Sequence, residues 1–330
     1  MAALRVGIDV SPLVQTRAGT ARYVSELTAA LVGRRELELR RYRFGGSGRA
    51  SAAVRDTLWY PALLPARARR DSVDVLHCTT FRAPLRSAMP LVVTFHDLAV
   101  LRHPEAFNAW TRRYSALTLP RIARAAAAII AVSEFTKREV VALLDVPAEK
   151  VRVIPNAVAA PFRPEGPASE GDYVLAVSTL EPRKNLETLV DAFRRAHLGG
   201  CELRVVGDRG WGSVGVNGDR VRYLGFVPDE ELASLYRGAR CVAYVSRYEG
   251  FGLPVLEALA CGTPVVAADL PPIREFASGA ITVDPADADA IAGALEQAAG
   301  ETKRPVPNAQ RHDWEQAATD TLAIYREVAA

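Results

Sequence analysis

Residues 245–269 read Val-Ser-Arg-Tyr-Glu-Gly-Phe-Gly-Leu-Pro-Val-Leu-Glu-Ala-Leu-Ala-Cys-Gly-Thr-Pro-Val-Val-Ala-Ala-Asp. An apolar strand ends at Val245, and a loop follows that carries Glu249, Gly250 and Gly252. A helix is expected to open with Pro254 at its first position, where the missing N–H costs nothing. Glu257 stands one turn in. The two glycines let the backbone approach a ligand closely. The free N–H groups of the helix start favour an anion such as phosphate. Carboxylates accept hydrogen bonds from paired hydroxyls, so Glu249 and Glu257 suit a hexose and a ribose. Taken singly, Glu249 reads equally well as a solvated loop residue and Glu257 as an acid favoured by the helix dipole. Both acids, both glycines and the proline together point to a nucleotide-sugar site.

Working outward, strand patterns alternate with helix patterns, which predicts an α/β fold with parallel sheets. Strands are expected at 6–10, 37–44, 73–77, 91–95, 128–132 and 151–154. Helices are expected at 18–31, with Tyr23, Val24, Leu27 and Leu31 on one face, and at 134–144. Residues 45–53 read as a flexible loop. The Pro/Gly-dense stretch 161–171 reads as an interdomain linker, after which the pattern restarts. Strands follow at 173–177, 202–206, 221–224, 241–245, 264–267 and 281–283, and helices at 185–196, 229–237, 254–260 and 286–299. A last helix at 314–328 carries Trp314, Ala317, Leu322, Tyr325 and Val328 at helical spacing. The domains are thus 1–162, with 313–330 packing back on it, and 163–312. Two Rossmann-like, doubly wound domains facing one another place a ligand cleft at the carboxyl ends of their strands.

The bulk composition agrees. A length of 330 residues suggests two domains, at roughly 100–200 residues each. A net charge of +3 from 41 basic and 38 acidic residues argues against a nucleic-acid binder, which would carry a basic stripe. Only Lys137, Lys150, Lys184 and Lys303 are lysines, so a lysine in a suggestive place stands out against an arginine-rich background. Cys78, Cys201, Cys241 and Cys261 form no C-x-x-C pair and read as buried free thiols of a reducing compartment. The start of the chain runs straight into a strand pattern without a signal-peptide core. No apolar run reaches the ~20 residues that span a bilayer. The expectation is a cytoplasmic protein, at most peripheral on the inner face of the membrane.

The spacing of Glu249 and Glu257 within SRYEGFGLPVLEALACGTPVVAAD closely resembles the retaining glycosyltransferases of the GT-B class, family four (group 1), many of them mannosyltransferases. Further matches are Thr94-Phe-His-Asp97, Ala131-Val-Ser-Glu-Phe-Thr136, Val153-Ile-Pro-Asn156, Ser178-Thr-Leu-Glu-Pro-Arg-Lys-Asn185 and Val205-Val-Gly-Asp208. They cover nearly the whole chain. The resemblance implies that Glu257 binds the ribose and that Glu249 contacts the donor sugar. It sets the backbone of Gly250, Phe251, Gly252 and Leu253 against the sugar and diphosphate, places Val227 on the donor side, and puts Arg183 and Lys184 on the diphosphate. Physics supports the last role, since cations are disfavoured at a helix start unless an anion is bound. Gly19 is a further phosphate contact, and His96, at the end of an apolar strand, faces the transferred sugar. His77 is expected to line the acceptor side. The chain departs from the family in having Ser178-Thr179 where many members have Gly-Arg, and Ala18-Gly19 in place of Gly-Gly.

The implied reaction moves a hexose from a nucleotide-diphosphate sugar to a hydroxyl of a glycan, lipid-linked or small-molecule acceptor. GDP-mannose is favoured over UDP sugars as donor, and neither cofactor nor metal is implied. Asp287-Ala-Asp289 resembles a metal-binding D-x-D but stands at a helix start, where acids are favoured by the dipole. Gly45-Gly-Ser-Gly48 is set aside as a dinucleotide fingerprint because no suitable helix follows at once. Residues 110–124, with Arg112, Arg113, Arg121 and Arg124 beside Trp110, Tyr114 and Leu117, read as a surface helix interrupted by Pro120 or as a membrane-docking element. The competing functions are a nucleotide-sugar epimerase or phosphorylase on a similar fold, and a silent nucleotide-sugar-binding module.

Overall fold

The computed structural model describes residues 3–17, 19–46, 48–210, 219–304, 306 and 312–330. The chain forms two compact units, residues 1–156 with 313–330, and residues 157–312. Each is built on a six-stranded sheet, and every described strand pairing is parallel.

In the first unit the strands are β1 (Leu4–Asp9), β2 (Leu37–Tyr42), β3 (Val75–Cys78), β4 (Leu91–Phe95), β5 (Ala128–Ala131) and β6 (Val151–Val153), in the spatial order β2-β1-β3-β4-β5-β6. In the second they are β7 (Tyr173–Val177), β8 (Glu202–Val206), β9 (Val221–Gly225), β10 (Cys241–Tyr244), β11 (Val265–Ala268) and β12 (Ile281–Val283), in the order β12-β11-β10-β7-β8-β9. Strands buried on both faces need near-continuous apolar runs, and β3, β4, β5, β10 and β11 are buried at every position. Alternate residues then meet different helix layers. Val174, Ala176, Leu203, Val205, Cys241 and Ala243 share a core with the helices Leu186–Arg195 and Ala288–Ala299. Tyr173 donates instead to Leu235 O of the helix Asp229–Gly238 at 2.8 Å.

Both sheets change their direction of growth at one point, between β1 and β3 in the first unit and between β7 and β10 in the second. Open parallel sheets bind ligands outside the carboxyl ends of the strands at such switch points.

Several expectations are corrected. Residues 45–53 are not all loop: a helix opens at Arg49, runs to Val54 and continues as a π-helical stretch Arg55–Leu63 and a helix Leu64–Arg70. The apolar residues of this segment are too unevenly spaced for a period to be read, yet Trp59, Tyr60 and Leu64 are fully buried. Pro120 does not interrupt its helix, which spans Ala109–Ala125. Pro254 is the second helical residue, after Leu253, with Gly252 as the cap. The helix Pro271–Phe276 had no reading from sequence.

The stretch 161–171 belongs to the second unit, whose boundary lies six residues upstream of the expected one. The buried Arg237 gathers the stretch by donating to the carbonyls of Pro161, Arg163 and Pro167. The terminal helix Trp314–Ala329 packs in the first unit, where Trp314 meets Tyr23 at 5.9 Å between ring centroids.

Candidate active site

In the second unit the loops after β7 and β10 are laced together by backbone geometry. Asn185 takes the left-handed conformation (φ 58°), which asparagine tolerates better than most residues. Its Nδ2 donates to Val245 O at 3.1 Å and to Pro285 O at 2.6 Å, and its Oδ1 accepts from Arg247 Nε at 3.0 Å. The amide of Arg247 donates to Arg183 O at 2.9 Å. These bonds bring residues some 60 apart in sequence side by side, so the Lys184 ammonium meets Glu249 Oε1 at 2.6 Å and the Tyr244 hydroxyl at 3.3 Å.

Arg183 donates to Tyr248 O at 2.8 Å and to Glu181 at 2.7 Å, and lies 3.6 Å from the second oxygen of Glu249. Both cationic side chains are 11 % exposed. Burial acts to raise the Glu249 pKa, but Lys184 and then Arg183 outweigh it and hold the carboxyl below its ordinary range. The Tyr244 hydroxyl is pushed well above its ordinary value by burial and by the Glu249 charge. Two cations and two carboxylates thus form a cluster that is neutral as a whole. The hydroxyl of Ser178, at the end of β7, is buried without a hydrogen-bond partner among the described residues. A buried orphan of this kind calls for a ligand or a water.

Gly252 caps the helix Leu253–Ala260 at φ 95°. A Cβ there would stand 2.4 Å from Ile273 Cδ1, so only glycine fits the turn. Gly250, Phe251 and Leu253 are buried beside it, with Phe251 against Phe276 at 4.4 Å. Glu257 is fully buried, and one of its oxygens accepts from Tyr236 at 3.1 Å. It therefore supports the packing of its helix on Asp229–Gly238 instead of standing in the open. Val227 is buried after β9, at the edge of the sheet and away from the switch point. Asp287 caps the helix Ala288–Ala299 by accepting from the amides of Asp289 and Ala290, and Asp289 pairs with Arg195.

The first unit holds Gly19 and His96. Gly19 opens the helix Gly19–Leu31 with open space around it. One turn on, the Tyr23 and His96 rings meet in a T-shaped contact with centroids 4.7 Å apart. His96 Nε2 lies 2.9 Å from Thr79 O, a pure acceptor, so that nitrogen carries the proton and Nδ1 is the acceptor. Burial lowers the His96 pKa, with Thr79 and Asp97 opposing. His77 does not line an acceptor surface. It is fully buried, with Nδ1 2.6 Å from the Tyr325 hydroxyl and Nε2 2.8 Å from Thr94 Oγ1, which also bonds the Tyr23 hydroxyl. Burial and the neighbouring His96 lower its pKa to about 3.

The sequence reading missed Glu181, Tyr244 and Asn185 as partners of the cluster. Asn185 had a usable signal, an asparagine directly before a helix. Tyr244 had a weaker one, a polar-tipped residue closing an apolar strand.

Comparison with known proteins decides the family. Residues 17–160 match the model of Glycosyltransferase Family 4, and residues 160–321 that of Glycosyl transferases group 1. O-antigen chain mannosyltransferase B of Escherichia coli is 30% identical over 350 residues, covering 97% of this chain and 88% of that protein. The chain belongs to the family 4, group 1 glycosyltransferases. The MMP alpha-(1->4)-mannosyltransferase of Mycolicibacterium hassiacum is 28% identical over 299 residues, 79% of this glycosyltransferase and 72% of that one. Among solved structures, sucrose-phosphate synthase from Thermosynechococcus elongatus superposes with a TM-score of 0.77 at 21% identity, covering 98% of each chain. Anabaena HepE in complex with UDP-glucose gives 0.68 at 19% identity, covering 99% of this chain and 98% of that one. The glycosyltransferase therefore has the GT-B fold.

Proposed function

We propose that this glycosyltransferase moves a mannosyl group from GDP-mannose to a hydroxyl of a glycan, lipid-linked or small-molecule acceptor, with retention at the anomeric carbon and without metal or cofactor. The observation that carries the reading is the contact of Lys184 with Glu249 at the switch point of the second sheet. Mannose is favoured because relatives at 30% and 28% identity bear mannosyltransferase names.

In this mechanism the bond from the anomeric carbon to the phosphate oxygen breaks. The acceptor oxygen bonds on the same face, and its proton passes to a phosphate oxygen. Lys184 and Arg183 stabilise the charge that develops on the departing diphosphate, where preorganised donors are most effective. Glu249, ionised and held by the two cations, has no proton to give. Its role is to accept a sugar hydroxyl and to offset positive charge at the reacting carbon. His96, neutral at pH 7, offers Nδ1 to a hydroxyl of the transferred sugar, and the Gly19 amide a hydrogen bond to phosphate. The unpartnered Ser178 hydroxyl supports a phosphate contact at the end of β7. Glu257 takes the ribose by exchanging its bond from Tyr236.

We place the enzyme at the cytoplasmic face of the membrane, with Ala109–Ala125 against anionic lipid. In support, Trp110 and Leu117 are 49% and 61% exposed, and Arg112, Arg113, Arg121 and Arg124 are exposed on the same helix. No described helix is long and apolar enough to cross a membrane.

Thermal shifts and turnover with a panel of nucleotide sugars test the donor, and GDP-mannose is expected to give the largest effect. A greater response to UDP-glucose or UDP-N-acetylglucosamine would overturn that choice. A product of inverted anomeric configuration by NMR would overturn retention.

A further inference from the structure

The first sheet has its own switch point, and a second cationic cluster stands on it. Asp9 ends β1 with Ser11 two residues beyond it, and Thr79 to Arg82 follow β3. Asp56, whose side chain is 1% exposed, receives Arg55 Nε at 2.9 Å, Arg55 Nη2 at 3.3 Å, Arg82 Nε at 3.1 Å and Trp110 Nε1 at 3.2 Å. Its four acceptor positions are thereby filled. Arg55 also donates from Nη1 to Gln15 at 3.3 Å, so all three of its nitrogens are engaged. Arg82 differs. Only its Nε is hydrogen-bonded among the described residues, its guanidinium carbon lies 5.2 Å from the Phe81 ring centroid, and its two terminal nitrogens have no hydrogen bond among the described residues; the side chain is 20% exposed.

Burial and the Arg55 charge penalise the Arg82 cation, with Asp56 compensating only in part. Asp9 does not complete the balance, because its carboxylate is occupied by Ser11 and by the Tyr60 hydroxyl at 2.8 Å. A fixed guanidinium with its terminal edge open is a fork for two oxygens of one anion.

The same loop connects this fork to the reacting centre. Thr79 accepts from His96 at 2.9 Å and donates to Asp9 O at 2.7 Å, and Arg82 lies three residues further on. Exposed apolar groups border the cluster: Trp110, bonded to Asp56, is 49% exposed, and Leu58, two residues past Asp56, is 46% exposed.

We infer that Arg82 recognises a phosphate ester carried by the acceptor, with Asp56 and Arg55 positioning its guanidinium. The inference rests on the transferase reading, since it assigns the acceptor side of that reaction. Carbohydrate and lipid phosphates share this chemistry, and the probes tell them apart.

Binding is titrated by calorimetry on the full chain carrying Lys184→Ala, which removes the competing phosphate site of the second unit. The probes are octyl phosphate and glycerol 1-phosphate, each against its unphosphorylated alcohol. Phosphate-dependent binding is expected, weakened about tenfold or more by Arg82→Gln, as suits loss of a charge-assisted pair. Arg82→Lys, which keeps the charge but loses the fork, is expected to weaken it less, and it carries the test if Arg82→Gln melts early. Preference for octyl phosphate identifies a lipid-linked acceptor, and equal binding a soluble one; both support the proposal. Failure of either phosphate to bind better than its alcohol, or full binding in both Arg82 variants, overturns it. Failure of the transferase reading registers separately, as wild-type chain that turns over no nucleotide sugar.

Discussion

The two units solve the same problem with different materials. Each puts a basic cluster at the switch point of a parallel sheet, on loops that follow the strands where its order reverses. In the second unit the cluster is made by backbone: left-handed Asn185 and Gly252 bend two loops until Lys184, Arg183, Glu249 and Glu181 meet and neutralise one another. In the first it is made by buried side chains. A chain of bonds from Tyr325 through His77 and Thr94 to Tyr23 backs His96, and Asp56 holds Arg82 with its terminal edge unused. In the self-neutralised cluster the charges are already held in place by one another. A half-used guanidinium awaits its partner.

The largest effect that can break this contrast is expected at Lys184. If Lys184 acts on the diphosphate as proposed, Lys184→Ala should lower kcat about 10²–10³-fold, with the far-UV spectrum unchanged. Wild-type turnover in this variant would remove the diphosphate role from the second unit.

Gly252→Ala probes the backbone half of the comparison. It forces a side chain into φ 95° and against Ile273, so a stability loss of about 2 kcal/mol is expected. Denaturant unfolding measures it, and a neutral substitution would show that the turn is not conformationally specified.

The buried-side-chain half is tested by acid. The folded-state pKa of His77 lies at about 3, below the ~6.5 of the unfolded chain. Between those values the unfolded chain binds the extra proton. Stability from neutral His77 is therefore full above pH ~6.5 and is lost as pH falls toward 3, by up to about 1.4 kcal/mol per pH unit. Melting temperatures from pH 7 to 5 should fall more steeply for the wild type than for His77→Gln. Parallel slopes would take His77 out of the account.

The chemistry-bearing loop after β10 was legible because its evidence is local. Glycines, a proline and two acids within nine residues impose a loop-to-helix turn whatever surrounds them. Long apolar runs announced the strands for the same reason, and the sharp period of Tyr23, Val24, Leu27 and Leu31 announced a helix whose named face is buried. Residues 49–70 were not legible, since a π-helical stretch carrying Pro61 has no regular period to read. The position of Glu257 on its helix was visible in the sequence, while its bond from Tyr236, 21 residues away, was not.

By itself, then, the sequence determined most of the elements, the α/β class and the family, all of which depend on side-chain type and spacing along a short segment. Only the tertiary structure decided the strand orders, hence the two switch points, and with them which charges are already shared and which remain open at Arg82. The reason is physical: strand order and ion pairing are set by the joint burial of groups far apart in the chain, and no local pattern encodes which distant partner will satisfy a buried charge.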